Sequence, residues 1–298
     1  MTLRQVGTPA LSIGCAISGP EGGRPVFLLH GWPDDSSTWK DILPILHANG
    51  WRTFTPYLRG FGPTRFHRPE QRRTGQIAAF AQDLLDLADG LGIERFSVVG
   101  HDWGARTAYT AAVLAPERVR ACAAMSVGWS GNDPNQPLPL LQTQNYWYQW
   151  VMALDRGEHL VRDNGAAFAR YMWDIWSPGW RVPDTDFNEV AASLDNPDWA
   201  DVTLHSYRVR WGHAPADPDY DEAERRIAAS PVITVPTLVL HGSADPCNAL
   251  STSEGREALF QGPYRRVVLD GLAHFPQRQD PAAVLAHLLP FLDTAAGA

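Results

Sequence analysis

The segment Gly100-His101-Asp102-Trp103-Gly104 sets a carboxylate between two glycines, where the apolar run Phe96-Ser-Val-Val meets the helix-forming Ala105-Arg106-Thr107-Ala108. Glycine on both sides permits a sharp, strained strand-to-helix turn that lifts the central side chain clear of a sheet. Serine is the usual nucleophile in such a turn, and aspartate changes the chemistry. A carboxylate is poorly suited to attack an ester or amide, but it can displace a leaving group at an sp³ carbon. Serine doing so would leave a stable ether, whereas aspartate leaves an ester that water can cleave. The competing assignment for Asp102 is a plain helix N-cap, a position aspartate favours.

Two further groups complete a catalytic set. Leu238-Val-Leu-His-Gly-Ser-Ala-Asp245 places an acid just after an apolar, strand-like run, and Val267-Val-Leu-Asp-Gly-Leu-Ala-His274 places a histidine just after the next one. His274, oriented by Asp245, would activate the water that cleaves the ester. Asp270 and Asp133 are rival acids, but neither follows a strand end as cleanly. Upstream, Val26-Phe-Leu-Leu-His30-Gly31-Trp32-Pro33 ends another such run. The backbone N–H groups of Trp32 and Trp103 would there form an oxyanion hole. Their indoles either face the substrate or serve packing alone.

The elements that must position these residues are legible as alternating runs. Leu11–Ser18, Val26–Leu29, Thr53–Tyr57, Phe96–Val99 and Arg120–Ser126 read as strands, and Trp39–Ala48, Gly75–Gly90 and Ala105–Leu114 as helices. Such alternation predicts a largely parallel sheet covered on both faces. The turn-forming stretch from Trp129 to Pro139 interrupts it. From about residue 138 to 230 only helix-like stretches follow, carrying seven of the 12 tryptophans (147, 150, 173, 176, 180, 199 and 211). The strand–helix rhythm resumes at Pro236 and ends on an amphipathic helix over Pro281–Leu292. The expected organisation is therefore one α/β core domain, 1–130 and 231–298, with a helical cap domain, 131–230, inserted into it.

Composition narrows the partners. With 298 residues, 44% hydrophobic and 19% charged, the chain can bury a large core, and its net charge of −8 disfavours nucleic acid or an anionic membrane. No apolar run reaches the length of a membrane span, and the N-terminus lacks the layout of a signal peptide. Three widely separated cysteines suggest neither a disulfide framework nor a zinc site. The expected setting is cytoplasmic, with no cofactor and no metal; the oligomeric state stays open, a homodimer included.

With these motifs in hand, the chain resembles the α/β-hydrolase superfamily, in which nucleophile, acid and histidine follow one another in this order. Within it, the chain resembles the aspartate-nucleophile branch of soluble epoxide hydrolases and haloalkane and fluoroacetate dehalogenases. The resemblance covers nearly the whole length and implies the α/β-hydrolase fold with an all-helical cap. His30-Gly-Trp-Pro, Gly100-His-Asp-Trp-Gly and Gly271-Leu-Ala-His274 look most like epoxide hydrolases. Tyr148-Gln149-Trp150 and His205-Ser-Tyr207-Arg208 are similar to the cap segments that carry their two ring-opening tyrosines. Taken without the resemblance, either tyrosine reads as cap packing. Fluoroacetate dehalogenases share Tyr207 and Arg106, the second of their two carboxylate-binding arginines, but the first of those arginines is replaced here by Trp103, and they have a halide-binding histidine in place of Tyr148. Haloalkane dehalogenases often have asparagine where Trp32 stands, and they hold halide between indole or amide N–H groups.

The expected activity is epoxide hydrolysis of a small apolar or aromatic epoxide, with Asp102, Asp245, His274, Tyr148 and Tyr207 catalytic and Trp32 and Trp103 binding substrate. The alternatives are haloalkane or haloacid dehalogenation with the same triad, and a non-catalytic α/β-hydrolase-like protein that holds a small ligand.

Overall fold

The computed structural model describes residues 1–130 and 137–296, so the rival acid Asp133 and much of the expected linker lie outside the described residues. Nine strands form one sheet: β1 (Thr2–Gly7), β2 (Leu11–Ser18), β3 (Arg24–Leu29), β4 (Trp51–Pro56), β5 (Arg65–Phe66), β6 (Phe96–His101), β7 (Val119–Met125), β8 (Thr237–Gly242) and β9 (Tyr264–Leu269). Across the sheet the order is β1-β2-β4-β3-β6-β7-β8-β9, with β5 against β2. The β1–β2 and β2–β4 pairs are antiparallel, and every pair from β4 through to β9 is parallel.

Strand β3 shows why its apolar run is continuous. Val26 and Leu28 enter the core on one face, while Phe27 and Leu29 enter the core on the other. A parallel strand buried on both sides needs apolar residues at successive positions. Helices α1 (Leu43–Ala48) and α11 (Pro281–Ala296) cover the Val26 face; α2 (Ile77–Gly90) and α3 (Trp103–Leu114) cover the Phe27 face.

Local chemistry trims the expected helices. The one anticipated over Trp39–Ala48 is a short 3₁₀ turn, Ser36–Trp39, capped by the Asp35 carboxylate, followed by α1, which starts beside Pro44. Strand β1 was not anticipated. Most of its side chains are exposed and only Val6 is buried, so its backbone pairing with β2 makes it a strand, not its apolar pattern.

Between β7 and β8 the described residues are helical, as expected: α4 (Leu140–Asn145), α5 (Trp147–Ala153), α6 (Glu158–Arg162), α7 (Gly165–Trp176), α8 (Asp184–Leu194), α9 (Trp199–Arg210) and α10 (Asp221–Ala229). This insertion is fastened to the strand ends. The Trp173 indole donates to the Pro33 carbonyl at 2.8 Å, Tyr146 donates to Asn248 Oδ1 at 2.8 Å, and the His274 N–H donates to the Trp176 carbonyl at 3.2 Å. No helix among the described residues is long and apolar enough to cross a membrane.

A buried ion pair ties the loop after β4 to α2. Arg59 grips Asp83 with two bonds of 2.7 Å, and also donates to the hydroxyl of Tyr220, within the insertion, at 3.2 Å. Removing one partner of such a pair leaves a buried charge without compensation. Asp83→Asn should therefore destabilise the protein by about 3–5 kcal/mol in chemical denaturation, with the denaturant slope little changed.

Candidate active site

Strand β6 ends at His101 and α3 begins at Trp103, so Asp102 alone makes the turn, at φ 51° and ψ −112°. A positive φ is uncommon outside glycine. The packing holds it in place: a Cβ on Gly100 would run into the backbone of Gly104, and one on Gly104 into the carbonyl of Leu29. Two glycines thus let α3 descend directly onto β3 and β6. Asp102 occupies the N-cap position, but its side chain makes no capping bond, so the N-cap assignment does not account for it. Its Oδ1 accepts a hydrogen bond from the Trp32 N–H at 2.9 Å, while Oδ2 faces His274 Nε2 at 3.8 Å. The Trp103 N–H lies at the first position of α3, where the helix itself supplies no acceptor.

The parallel register explains this convergence. Leu29 pairs with Gly100 and Gly242 with Leu269, so the loops after β3, β6, β8 and β9 leave the same edge of the sheet. Open α/β sheets place their sites beyond these carboxyl ends. Asp245 Oδ2 lies 2.9 Å from His274 Nδ1, and its Oδ1 accepts the N–H groups of Cys247 and Asn248 at 2.8 and 3.0 Å. Burial pushes this carboxyl up, but the charge of His274 and the hydrogen bonds from His241 and His274 outweigh it and hold it well below the usual range. For His274 burial acts downward, and the adjacent Asp245 carboxylate overrides it, raising the imidazole well above its ordinary value. Asp270, the other rival acid, is exposed and only takes a 3.2 Å bond from Ser243.

Both expected tyrosines reach this edge. Tyr148 stacks on Trp32 (centroids 5.7 Å, planes at 5°), and Tyr207 meets Trp32 edge-on at 5.6 Å and Trp103 at 5.7 Å. The two phenol rings pack against each other at 5.5 Å. Burial comes first among the causes that raise both phenols well above their ordinary value, with the Asp102 carboxylate adding to it in each, so both stay protonated at neutral pH. Gln149 Nε2 donates to the Tyr148 hydroxyl at 2.8 Å, leaving the phenol hydrogen free to point elsewhere. Asp102, Asp245, His274, Tyr148, Tyr207, Trp32 and Trp103 thus come together in one buried cluster.

Three neighbours in this cluster were not singled out by sequence. Trp176 packs edge-on to Tyr148 at 5.0 Å and to His274 at 4.8 Å. Cys247 Sγ sits 3.6 Å from the Tyr148 hydroxyl. His101 donates from Nε2 to the His274 carbonyl at 2.7 Å. None stands at a spacing that marks it; His101, beside Asp102, is the one that proximity in sequence could have flagged.

Comparison with known proteins agrees with this geometry. Residues 24–281 match the family described as alpha/beta hydrolase fold. The chain belongs to that family. It is similar to Epoxide hydrolase A of Mycobacterium tuberculosis, with 28% identity covering 98% of this chain and 97% of the relative. An epoxide hydrolase of Caballeronia sordidicola is 25% identical, covering 91% and 88%. Among solved structures, a candidate epoxide hydrolase from Klebsiella pneumoniae subsp. pneumoniae superposes with a TM-score of 0.92 at 38% identity, covering 97% and 96% of the two chains. The protein is a hydrolase resembling epoxide hydrolases.

The histidines of this hydrolase give its stability a pH signature. Burial lowers His101 to about 4, and also lowers His30. The Nδ1 of His101 has no hydrogen-bond partner among the described residues, so a protonated ring would bury an unmatched N–H. Between pH 6.5 and about 4 the unfolded chain binds protons that the folded chain refuses, so stability rises with pH across that window. His274, raised, is protonated in both states below pH 6.5 and adds no slope there. His101→Gln should flatten the dependence of unfolding free energy on pH by up to about 1.4 kcal/mol per pH unit, measured by denaturation at pH 4.5, 5.5 and 6.5.

Proposed function

We propose that this hydrolase opens epoxides to vicinal diols, through an ester on Asp102, beneath a cap formed by residues 131–230. The observation that carries the reading is the pair of protonated phenols, Tyr148 and Tyr207, packed above an aspartate whose Oδ1 is already held by a backbone N–H. Oδ2 of Asp102 attacks a ring carbon, the carbon–oxygen bond breaks, and the ring oxygen takes a proton from a tyrosine. A halide leaves without any such acid, which is why two phenols favour an epoxide over a haloalkane or haloacid.

The second step uses the opposite side of the site. Alkylation removes the negative charge 3.8 Å from His274 Nε2, and an imidazolium without that neighbour gives up its proton more readily; that proton passes through solvent to the phenolate left by ring opening and restores the tyrosine. The neutral ring, held by Asp245, takes a proton from water as the water attacks the ester carbonyl. Negative charge then develops on Oδ1, against the N–H groups of Trp32 and Trp103, each worth about 10²–10³ in rate. Collapse releases the diol and restores the Asp102 carboxylate. The Trp32 and Trp103 indoles line the substrate's path, and three free, buried cysteines are in keeping with a cytoplasmic setting.

The test is a parallel screen of small aromatic epoxides and haloacids, scoring diol against free halide. Asp102→Asn should keep the fold and lose turnover. His274→Gln should accumulate an adduct with the mass of the intact epoxide on the peptide containing Asp102. Tyr148→Phe or Tyr207→Phe should each slow alkylation by about 10- to 1000-fold and spare ester hydrolysis, and the double variant should be nearly inactive. Halide release that survives the double change, in an enzyme that ignores epoxides, would make the protein a dehalogenase.

A further inference from the structure

Gln149 is a buried amide on α5, and both of its ends are engaged. The Trp211 indole donates to Oε1 at 3.0 Å, with an Arg210 guanidinium nitrogen at 3.4 Å, while Nε2 donates to the Tyr148 hydroxyl at 2.8 Å. The partners fix which end is which. An indole N–H and a guanidinium have hydrogens to give and no lone pair to offer, so the amide atom that faces them must be the oxygen. The nitrogen is left for Tyr148, and that bond runs from amide to phenol.

A hydroxyl whose oxygen accepts from Gln149 cannot give its hydrogen back to it. The other hydrogen-bonding neighbour of the Tyr148 hydroxyl among the described residues is Cys247 Sγ at 3.6 Å, and sulfur is a weak acceptor. The phenol hydrogen is thus free to turn to a stronger acceptor.

Giving up that hydrogen strengthens the bond from Gln149. A neutral phenol oxygen accepts an ordinary hydrogen bond, whereas a phenolate accepts a charge-assisted one, roughly twice as strong. An interaction that strengthens as charge develops speeds the step, and one that is equal in both states does not. Burial, and then Cys247, Tyr207, Asp102 and Tyr146, makes this phenol a reluctant acid. The amide N–H acts against them at the atom where the charge appears.

We propose that Gln149, held by the Trp211 indole, is a positioning residue for ring opening, whose amide N–H turns the Tyr148 hydrogen toward the substrate and stabilises the phenolate. As Asp102 Oδ2 attacks, the carbon–oxygen bond breaks, its electron pair stays on the ring oxygen, and the Tyr148 proton joins it. This deepens the epoxide-hydrolase reading and rests on it for the step in which the proton moves.

The test is single-turnover reaction with styrene oxide, quenched and followed by mass spectrometry, which separates formation of the Asp102 ester from its hydrolysis. Gln149→Leu should slow ester formation by about 10-fold and leave hydrolysis within about twofold. Gln149→Glu keeps an acceptor for Trp211 but draws the Tyr148 hydrogen away from the substrate, and should slow ester formation by about 100-fold. Trp211→Phe, which releases the amide to turn over, should show part of the Gln149→Leu loss. In a Tyr148→Phe background the Gln149 changes should cost no more than about twofold, and in a Tyr207→Phe background they should keep their full effect. If Gln149→Leu fails to fold, Gln149→Glu, of the same size, carries the cycle. Equal losses in both half-reactions, losses that persist in the Tyr148→Phe background, or a Gln149→Glu enzyme as fast as wild type overturns the proposal. If the wild-type enzyme opens no epoxide, the epoxide-hydrolase reading fails instead, and fluorine NMR of protein carrying difluorotyrosine decides the role of Gln149. The signal from position 148, assigned by its loss in Tyr148→Phe, should then ionise about one pH unit higher in Gln149→Leu than in its parent, and an unmoved titration rejects the role.

Discussion

The Asp102 turn is the constraint to which the other parts of the site are referred. A chain that passes from strand to helix within one residue must bring that helix almost into contact with the neighbouring strands, and this requires glycine at 100 and 104. The positive φ of Asp102 is sustained by that packing rather than by any bond from its own side chain, which is thereby free. From there the carboxylate is shared asymmetrically. One oxygen rests on the Trp32 N–H, and the other faces an imidazole at a distance too long for a hydrogen bond.

The second organising feature is the fastening of the helical insertion to the loops that carry Asp245 and His274. His274 is held through its ring by Asp245, through its N–H by the Trp176 carbonyl, and through its carbonyl by His101 and Ser126. The loop after β8 is bound in turn by Gln142, which accepts from the Ala249 N–H and donates to the Cys247 carbonyl. The insertion therefore helps to set the histidine and the acid as well as covering them. The aromatic cluster of Trp32, Tyr148, Trp176 and Tyr207 adds one stacked and three edge-to-face contacts, each worth about 0.5–1.5 kcal/mol beyond area burial.

Electrostatically the site has two sides. Around Asp102 the surroundings are aromatic and buried, which keeps the phenols protonated and strengthens the pairing of Asp245 with His274. One turn further along α3 and α9 the surroundings become cationic, with Arg106 and Arg210 facing a cavity.

Much of this was legible in the sequence, because it depends on local chemistry. The Gly-flanked aspartate, the continuous apolar runs of β3, β6 and β8, and the order of Asp102, Asp245 and His274 are written in neighbouring residues. A doubly buried parallel sheet leaves few alternatives for where its strand ends lie. Helix limits and β1 were less legible: Asp35 capping and Pro44 placement shift a boundary by a few residues, and β1 is a strand through backbone pairing with β2. What only the tertiary structure decided are contacts between residues far apart in the chain. Examples are Cys247 beside Tyr148, Trp176 against His274, and Arg210 facing Arg106 across more than a hundred residues. A lone cysteine, one tryptophan among 12 or the arginine at 210 carries no spacing signal. Their meaning comes from the docking of the insertion over the strand ends, which is set by packing summed over many side chains and not by any short motif.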